Sequence, residues 1–144
     1  MSWMKRPMHS QLEDVVPLLG ISGAHFINLQ VGETAEELNR ARDEFGATLH
    51  DFGDLDIKND LDETTALIAA LDSIVTPRGW VTCFAGLVGV QTYCFSAPPH
   101  TAVFGQRSPP WAPNVQVFMK TYGETWVKPL TAIASEIREQ LANA

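Results

Sequence analysis

Between Leu71 and Pro98 the chain reads LDSIVTPRGWVTCFAGLVGVQTYCFSAP, and few folds accommodate that order. Two short apolar runs, Ser73–Thr76 and Thr92–Ser96, flank a small-residue segment at about Trp80–Val88 that Gly89 ends. Strands apolar on both faces belong in a parallel sheet covered on both sides, so the stretch predicts a strand–helix–strand unit. Pro77 and Gly79 mark the turn between first strand and helix. Such a turn lies at the carboxyl end of a parallel strand and the amino end of a helix. Open α/β sheets receive ligands there, and the free N–H groups and partial positive charge of the helix end favour an anion. A plain connection without ligand is the alternative.

The flanking sequence repeats the alternation. Ser10-Gln11-Leu12-Glu13 fits a capping box, with Leu12, Val15, Val16 and Leu19 as an apolar stripe and Pro17 keeping the helix short or bent. His25–Gln30 reads as a strand. Thr34-Ala35-Glu36-Glu37 is a second capping box, and Leu38, Ala41 and Phe45 form the inward face of a helix that Gly46 stops. Thr48–Phe52 is a further short strand. Asp62 is placed to cap a helix over Thr64–Leu71. After the central unit, residues 97–114 hold five of the nine prolines and read as a long irregular loop. Val115–Met119 is the last strand. Trp126, Leu130, Ile133, Ile137 and Leu141 then mark an amphipathic helix with Trp126 in the core. With neither repeats nor a linker, the expectation is one three-layer α/β domain over residues 1–144.

Bulk properties narrow the function. The 144 residues are 45% hydrophobic and 19% charged, which suits a folded globule long enough to bury a core. A net charge of −7 disfavours a nucleic-acid backbone as partner. The start, MSWMKRPMHS, lacks the apolar core of a secretory signal, and no apolar run is long enough to span a bilayer. Cys83 and Cys94 form no C-x-x-C pair and read as buried thiols of a reducing compartment. The expectation is a cytoplasmic protein.

Several chemistries find no motif. G-x-S-x-G, the P-loop and G-x-G-x-x-G are missing from the sequence. His9, His25, His50 and His100 are scattered without metal-ligand spacing. Asp54-Leu55-Asp56 and Asp60-Leu61-Asp62 are D-x-D pairs of a kind that can hold a divalent ion between phosphates, and equally a solvated loop and a helix cap. No cofactor or metal is expected. What stands out is the anion-receptive turn Thr76–Thr82, with Arg78, whose planar fork suits a phosphate, and a Pro- and Trp-rich loop.

Taken together, FINLQVGETAEEL, DLDETTALIAALDSIVT, FAGLVGVQTY, PPWAPNVQVFMK and ETWVKPL resemble the C-terminal nucleotide-sugar-binding domain of GT-B glycosyltransferases. The resemblance is to bacterial proteins that carry this domain behind tetratricopeptide repeats, related to O-linked N-acetylglucosamine transferases and heptosyltransferases. It runs from about Leu12 to Leu141. It implies half of a GT-B fold, Rossmann-like, with a mostly parallel sheet of about five strands and the nucleotide diphosphate over the strands' carboxyl ends. The family pattern after the central strand is D-T/S-x-x-x-H-x-A-G-A-x-G. Here Ala85-Gly86 and Gly89 are kept, Cys83 stands at the histidine position, and Arg78 and Gly79 stand at the acidic and hydroxyl positions, followed by bulky Trp80. Thr76 and Thr82 offer substitute hydroxyls. The family's S-P-W-Y-P-S loop is Pro109-Pro110-Trp111-Ala112-Pro113-Asn114.

The ligand-binding residues implied are Thr76, Arg78, Gly79, Trp80, Val81, Thr82, Cys83 and Trp111, with a nucleotide diphosphate sugar as partner. The acceptor half that precedes this domain in the family has no counterpart in the sequence. The resemblance therefore implies hexosyl-transfer chemistry that is inactive or incomplete without an acceptor domain. A non-catalytic interaction module or homodimer, meeting its partner through Trp80, Phe104 and Trp111, is the alternative. The first central strand of the family domain is reduced to a stub, so Ser2–Met4 is expected to pair between His25–Gln30 and Ser73–Thr76.

Overall fold

The computed structural model describes residues 10–98 and 103–143. Its elements run α1 (Leu12–Leu19), β1 (Phe26–Ile27), α2 (Ala35–Phe45), β2 (Leu49–His50), α3 (Leu61–Ala69), β3 (Ser73–Pro77), α4 (Trp80–Val88), β4 (Gln91–Ser96), β5 (Val115–Met119) and α5 (Val127–Asn143). The mixed α/β class follows the expected alternation. All described strand pairs are parallel, but they form a two-stranded sheet, β1-β2, and a three-stranded sheet, β3-β4-β5, rather than one sheet of about five. The proposed strand at Ser2–Met4 lies outside the described residues.

The chain divides into two compact units, residues 1–58 with 125–144, and residues 59–124. In the first, α1 packs against α2 and α5. Leu18, Leu38, Ala41, Leu130, Ile133 and Ala134 are buried, and Trp126 lies in the core as its place in the stripe predicts. β1 and β2 are two residues each, shorter than the apolar runs that suggested them. Arg138 on α5 donates to the Pro17 carbonyl at 2.8 Å, satisfying one of the last-turn oxygens of α1 that has no partner within its own helix.

Both expected capping boxes differ in detail. At α1 the box is one residue later: the Gln11 N–H donates to the Asp14 carboxylate at 2.9 Å. That register frees Glu13 to meet Arg40 of α2 at 2.9 Å. At α2, Thr34 is the N-cap residue but its hydroxyl makes no capping bond. It accepts instead from the Asn28 amide at 3.3 Å.

In the second unit the β3-β4-β5 sheet runs in unbroken register from Ser73↔Gln91 to Pro77↔Phe95 and from Thr92↔Val115 to Ser96↔Met119. Side chains alternate across it, so Ile74, Thr76, Thr92, Cys94, Val115 and Val117 share one face. α4 packs on the sheet and α3 packs on α4. Asp60, not Asp62, caps α3: its carboxylate accepts from the Glu63 N–H at 2.9 Å. The helix starts earlier than expected, which leaves Asp62 and Glu63 in the first turn, where the helix dipole favours them.

The described part of the proline-rich loop holds no α-helix or strand, as its composition suggests, yet it is partly packed into the core. Val103 and Ala112 are buried with Cys94, Val115 and Val117. The Arg107 carbonyl accepts from the Val117 N–H at 2.8 Å, and its guanidinium lies 4.8 Å from the centroid of the Phe118 ring. The loop thus covers the outer edge of β5, which would otherwise present open N–H and C=O groups.

Candidate functional site

The turn after β3 is built as the sequence predicts, with its two threonine hydroxyls turned inward. β3 ends at Pro77, Gly79 is the extended N-cap residue, and α4 begins at Trp80. No side chain caps α4 and its first turn carries no acid. The amides of Trp80, Val81 and Thr82 are the first-turn donors that an α-helix leaves without a partner. The Arg78 N–H does not join them, because it donates to the Phe95 carbonyl at 3.2 Å and extends the β3–β4 ladder.

The two substitute hydroxyls both serve one carbonyl. Thr76 Oγ1 donates to the Pro77 oxygen at 3.1 Å and Thr82 Oγ1 donates to the same oxygen at 3.2 Å. Both threonines are buried, and Thr82 also faces the Cys94 sulfur at 3.8 Å. Their hydroxyls therefore lock the turn. A Cβ added at Gly79 would meet only the Pro77 oxygen, at 3.8 Å, so the approach to the helix end is open there.

The remaining expected site residues sit around α4. At 100° per residue, Thr82, Ala85 and Gly86 point toward the sheet, while Trp80, Cys83, Phe84, Leu87 and Val88 fall on the opposite arc. Burial follows that division: Thr82 and Ala85 are buried, and Trp80, Cys83, Leu87 and Val88 are exposed. Cys83 is thus exposed rather than a buried thiol, because its position places it on the outer arc, whereas Cys94 is buried in the sheet as expected. Burial pushes the Cys94 thiol above its ordinary range.

The Trp80 indole meets Phe84 edge-on at 5.6 Å between centroids. Pairing with a residue one turn further on carries the indole along the outer side of the helix. Trp111 lies over Gly86, where an added Cβ would come within 3.0 Å of its ring and 2.9 Å of the Ala112 Cβ. The glycine of the Ala85-Gly86 pair is therefore required by close packing of α4 on the Trp111–Val115 segment. Asn114 closes the other end of α4: its amide donates to the Ala85 carbonyl at 3.1 Å and to the Val90 carbonyl at 2.7 Å.

In the first unit two clusters form that sequence spacing did not reveal. Asn28 is buried, donates to Thr34 and to the Asp51 carboxylate at 2.9 Å, and accepts from the Gln30 N–H at 3.0 Å. It joins the ends of β1 and β2 to the start of α2. His25 and His50 meet with Nδ1 and Nε2 3.1 Å apart, ring centroids 5.4 Å apart and planes within 9°. That centroid distance is close to the nitrogen separation plus two ring radii, so the imidazoles lie nearly coplanar and hydrogen-bond edge to edge. Parallel pairing of Ile27 with His50 creates this neighbourhood, and no local sequence signal announces it. Among the described residues no group of three or more His, Cys, Asp or Glu side chains could hold a metal, and Asp60 of the second D-x-D pair serves as the α3 cap. No described helix is long and apolar enough to cross a membrane.

No family model matches the chain, and no solved structure matches it. The chain is similar to protein FlbA of Caulobacter vibrioides, with 29% identity over 127 residues. The match covers 88% of this chain and 21% of FlbA, so the chain spans about a fifth of the length of that relative.

Proposed function

We propose that the chain is a glycosyltransferase-like half-domain, Rossmann-like with helices layered on its parallel strands, that binds a nucleotide diphosphate sugar and is incomplete as a catalyst without an acceptor domain. The observation that carries this reading is the uncapped, acid-free start of α4 at the carboxyl end of β3, open beside Gly79. Backbone amides there favour a diphosphate. Arg78 in the same turn adds positive charge close by. With the Thr76 and Thr82 hydroxyls committed to Pro77, the diphosphate is held by main-chain donors and Arg78. Cys83 at the family's histidine position, and the want of any paired nucleophile and base in this turn, support binding without independent transfer. The similarity to a segment of a much longer protein fits a domain that works as part of a larger assembly.

Thermal unfolding with UDP, GDP, ADP and their sugars tests the reading. Ligand at one hundred times its dissociation constant adds about 2.7 kcal/mol, a rise of several degrees for a chain of this size. Gly79→Asp has room for its side chain. Its carboxylate would cap the helix and compete with the ligand, so the variant should fold and lose the shift. If no nucleotide moves the wild-type midpoint, the nucleotide reading fails.

A second reading, a non-catalytic interaction module on the same fold, is favoured by a separate observation. The outward side of α4 is entirely apolar or thiol, with no acid in its first turn and no base in its last. Outer helices of α/β domains ordinarily turn polar side chains to water.

A further inference from the structure

We infer that the outer face of α4 is a self-association surface, on which two copies of this chain pair across a two-fold axis. This rests on the interaction reading and is independent of nucleotide binding. Trp80, Cys83, Phe84, Leu87 and Val88 recur at positions i, i+3, i+4, i+7 and i+8. That is the stripe by which a helix buries itself; α3 packs on α4 and Phe84 is half-buried, but Trp80, Cys83, Leu87 and Val88 stay exposed on the side away from the sheet. Exposure is 37% for Trp80, 77% for Leu87, 38% for Val88 and, beside them over Gly86, 51% for Trp111.

With aromatic side chains of roughly 150–250 Å² and aliphatic ones somewhat smaller, these residues and Cys83 present about 500 Å² per copy. Two such faces bury about 1,000 Å², the size at which a specific interface becomes plausible. A contiguous apolar patch of that extent marks a docking surface.

The charge pattern permits a second copy as occupant, through this helix. The chain carries a net charge of −7, so two copies repel over most orientations. The nine residues of α4, WVTCFAGLV, hold no ionisable carboxylate or base, so contact through this helix brings no like charges together. A basic or acidic partner would find nothing on the stripe to pair with. The middle of the stripe falls between Cys83 and Phe84. A two-fold axis there sets Trp80 of one copy against Leu87 of the other and brings the two Cys83 side chains to the axis, an isologous contact that closes on itself.

Sedimentation equilibrium of the full chain under reducing conditions tests this. Wild type should reach twice its 15.9 kDa at micromolar to tens-of-micromolar concentration, and Leu87→Glu should remain a monomer with an unchanged melting temperature at low concentration. A short bis-maleimide should link wild-type dimers through Cys83, and Cys83→Ser should abolish the link. A wild-type chain monomeric throughout overturns self-pairing. So does a dimer that survives Leu87→Glu, or one that a short reagent cannot link. If Leu87→Glu should unfold, Leu87→Gln and the Cys83 link carry the same decision. An apolar dye such as ANS separates the two readings. A monomer whose dye binding depends on Leu87 retains the interaction reading with another occupant, and a monomer that binds no dye loses both.

Discussion

The two sides of α4 carry no charge and differ in side-chain size, and they have opposite roles. The sheet side holds Thr82, Ala85 and Gly86, and the water side holds Trp80, Cys83, Phe84, Leu87 and Val88. In most surface helices the bulky apolar residues face the core. Here the small ones do, because the backbone of α4 comes close enough to Ala112 and Trp111 that not even a methyl group fits at Gly86. Close approach requires small residues, and the bulk is then left on the outside. Apolar character thus marks α4 as a helix, while side-chain size decides which side is buried.

The largest expected effect comes from filling the close contact. Gly86→Leu should destabilise the fold by about 3 kcal/mol or more, since overpacking a tight site typically costs 1–3 kcal/mol and Leu exceeds it by several atoms. Gly86→Ala should still lose stability, by roughly 1 kcal/mol, despite the better helix propensity of alanine. Urea unfolding measures both. A neutral or stabilising Gly86→Ala would mean that α4 does not pack this closely.

Next in size is the anchor at the end of the same helix. Asn114→Ala removes two hydrogen bonds while the Ala85 carbonyl keeps the Val90 N–H and the Val90 carbonyl keeps the Thr92 hydroxyl, so it should cost about 1 kcal/mol. Asn114→Asp, which keeps the shape but offers oxygen to oxygen, should cost at least as much. Hydrogen exchange should locate the loss in the last turn of α4 and the start of β4.

The smallest effects distinguish the two cysteines, one on each side of the comparison. Cys83 should be alkylated in the native protein, whereas Cys94 should react only on unfolding. Burial raises the Cys94 pKa in the folded state above its unfolded value near 8.5. The folded protein therefore holds that proton after the unfolded chain has released it. The resulting stability is fully present below about pH 8.5 and declines as pH rises above it. Cys94→Ala should flatten the alkaline limb of the stability profile relative to wild type, and Cys83→Ser should not.

The legibility of the fold tracks how much of each element's reason is local. α4 at Trp80–Val88 and β5 at Val115–Met119 lie where apolar runs between Gly, Pro and Asn place them. The strands of the first unit were blurred, since two ladder residues leave little pattern in sequence. Caps moved by a residue or two because several polar side chains compete at each helix start. Glu13 is drawn to Arg40 and Thr34 to Asn28, and both partners are distant in sequence. At the candidate site the turn itself was readable from Pro77 and Gly79. The inward commitment of both threonine hydroxyls was not, since it depends on a carbonyl orientation.

By itself the sequence determined the mixed α/β class, the strand–helix–strand unit at its centre and the small-residue character of α4, because hydrophobic period and chain-breaking residues act within a few positions. Tertiary structure alone decided that β1 and β2 pair apart from the other three strands, that Gly86 is filled by Trp111 and Ala112, that His25 meets His50, and which of two cysteines sees water. Those outcomes depend on which distant residues arrive at a given face and how closely they approach, and no local pattern records that distance.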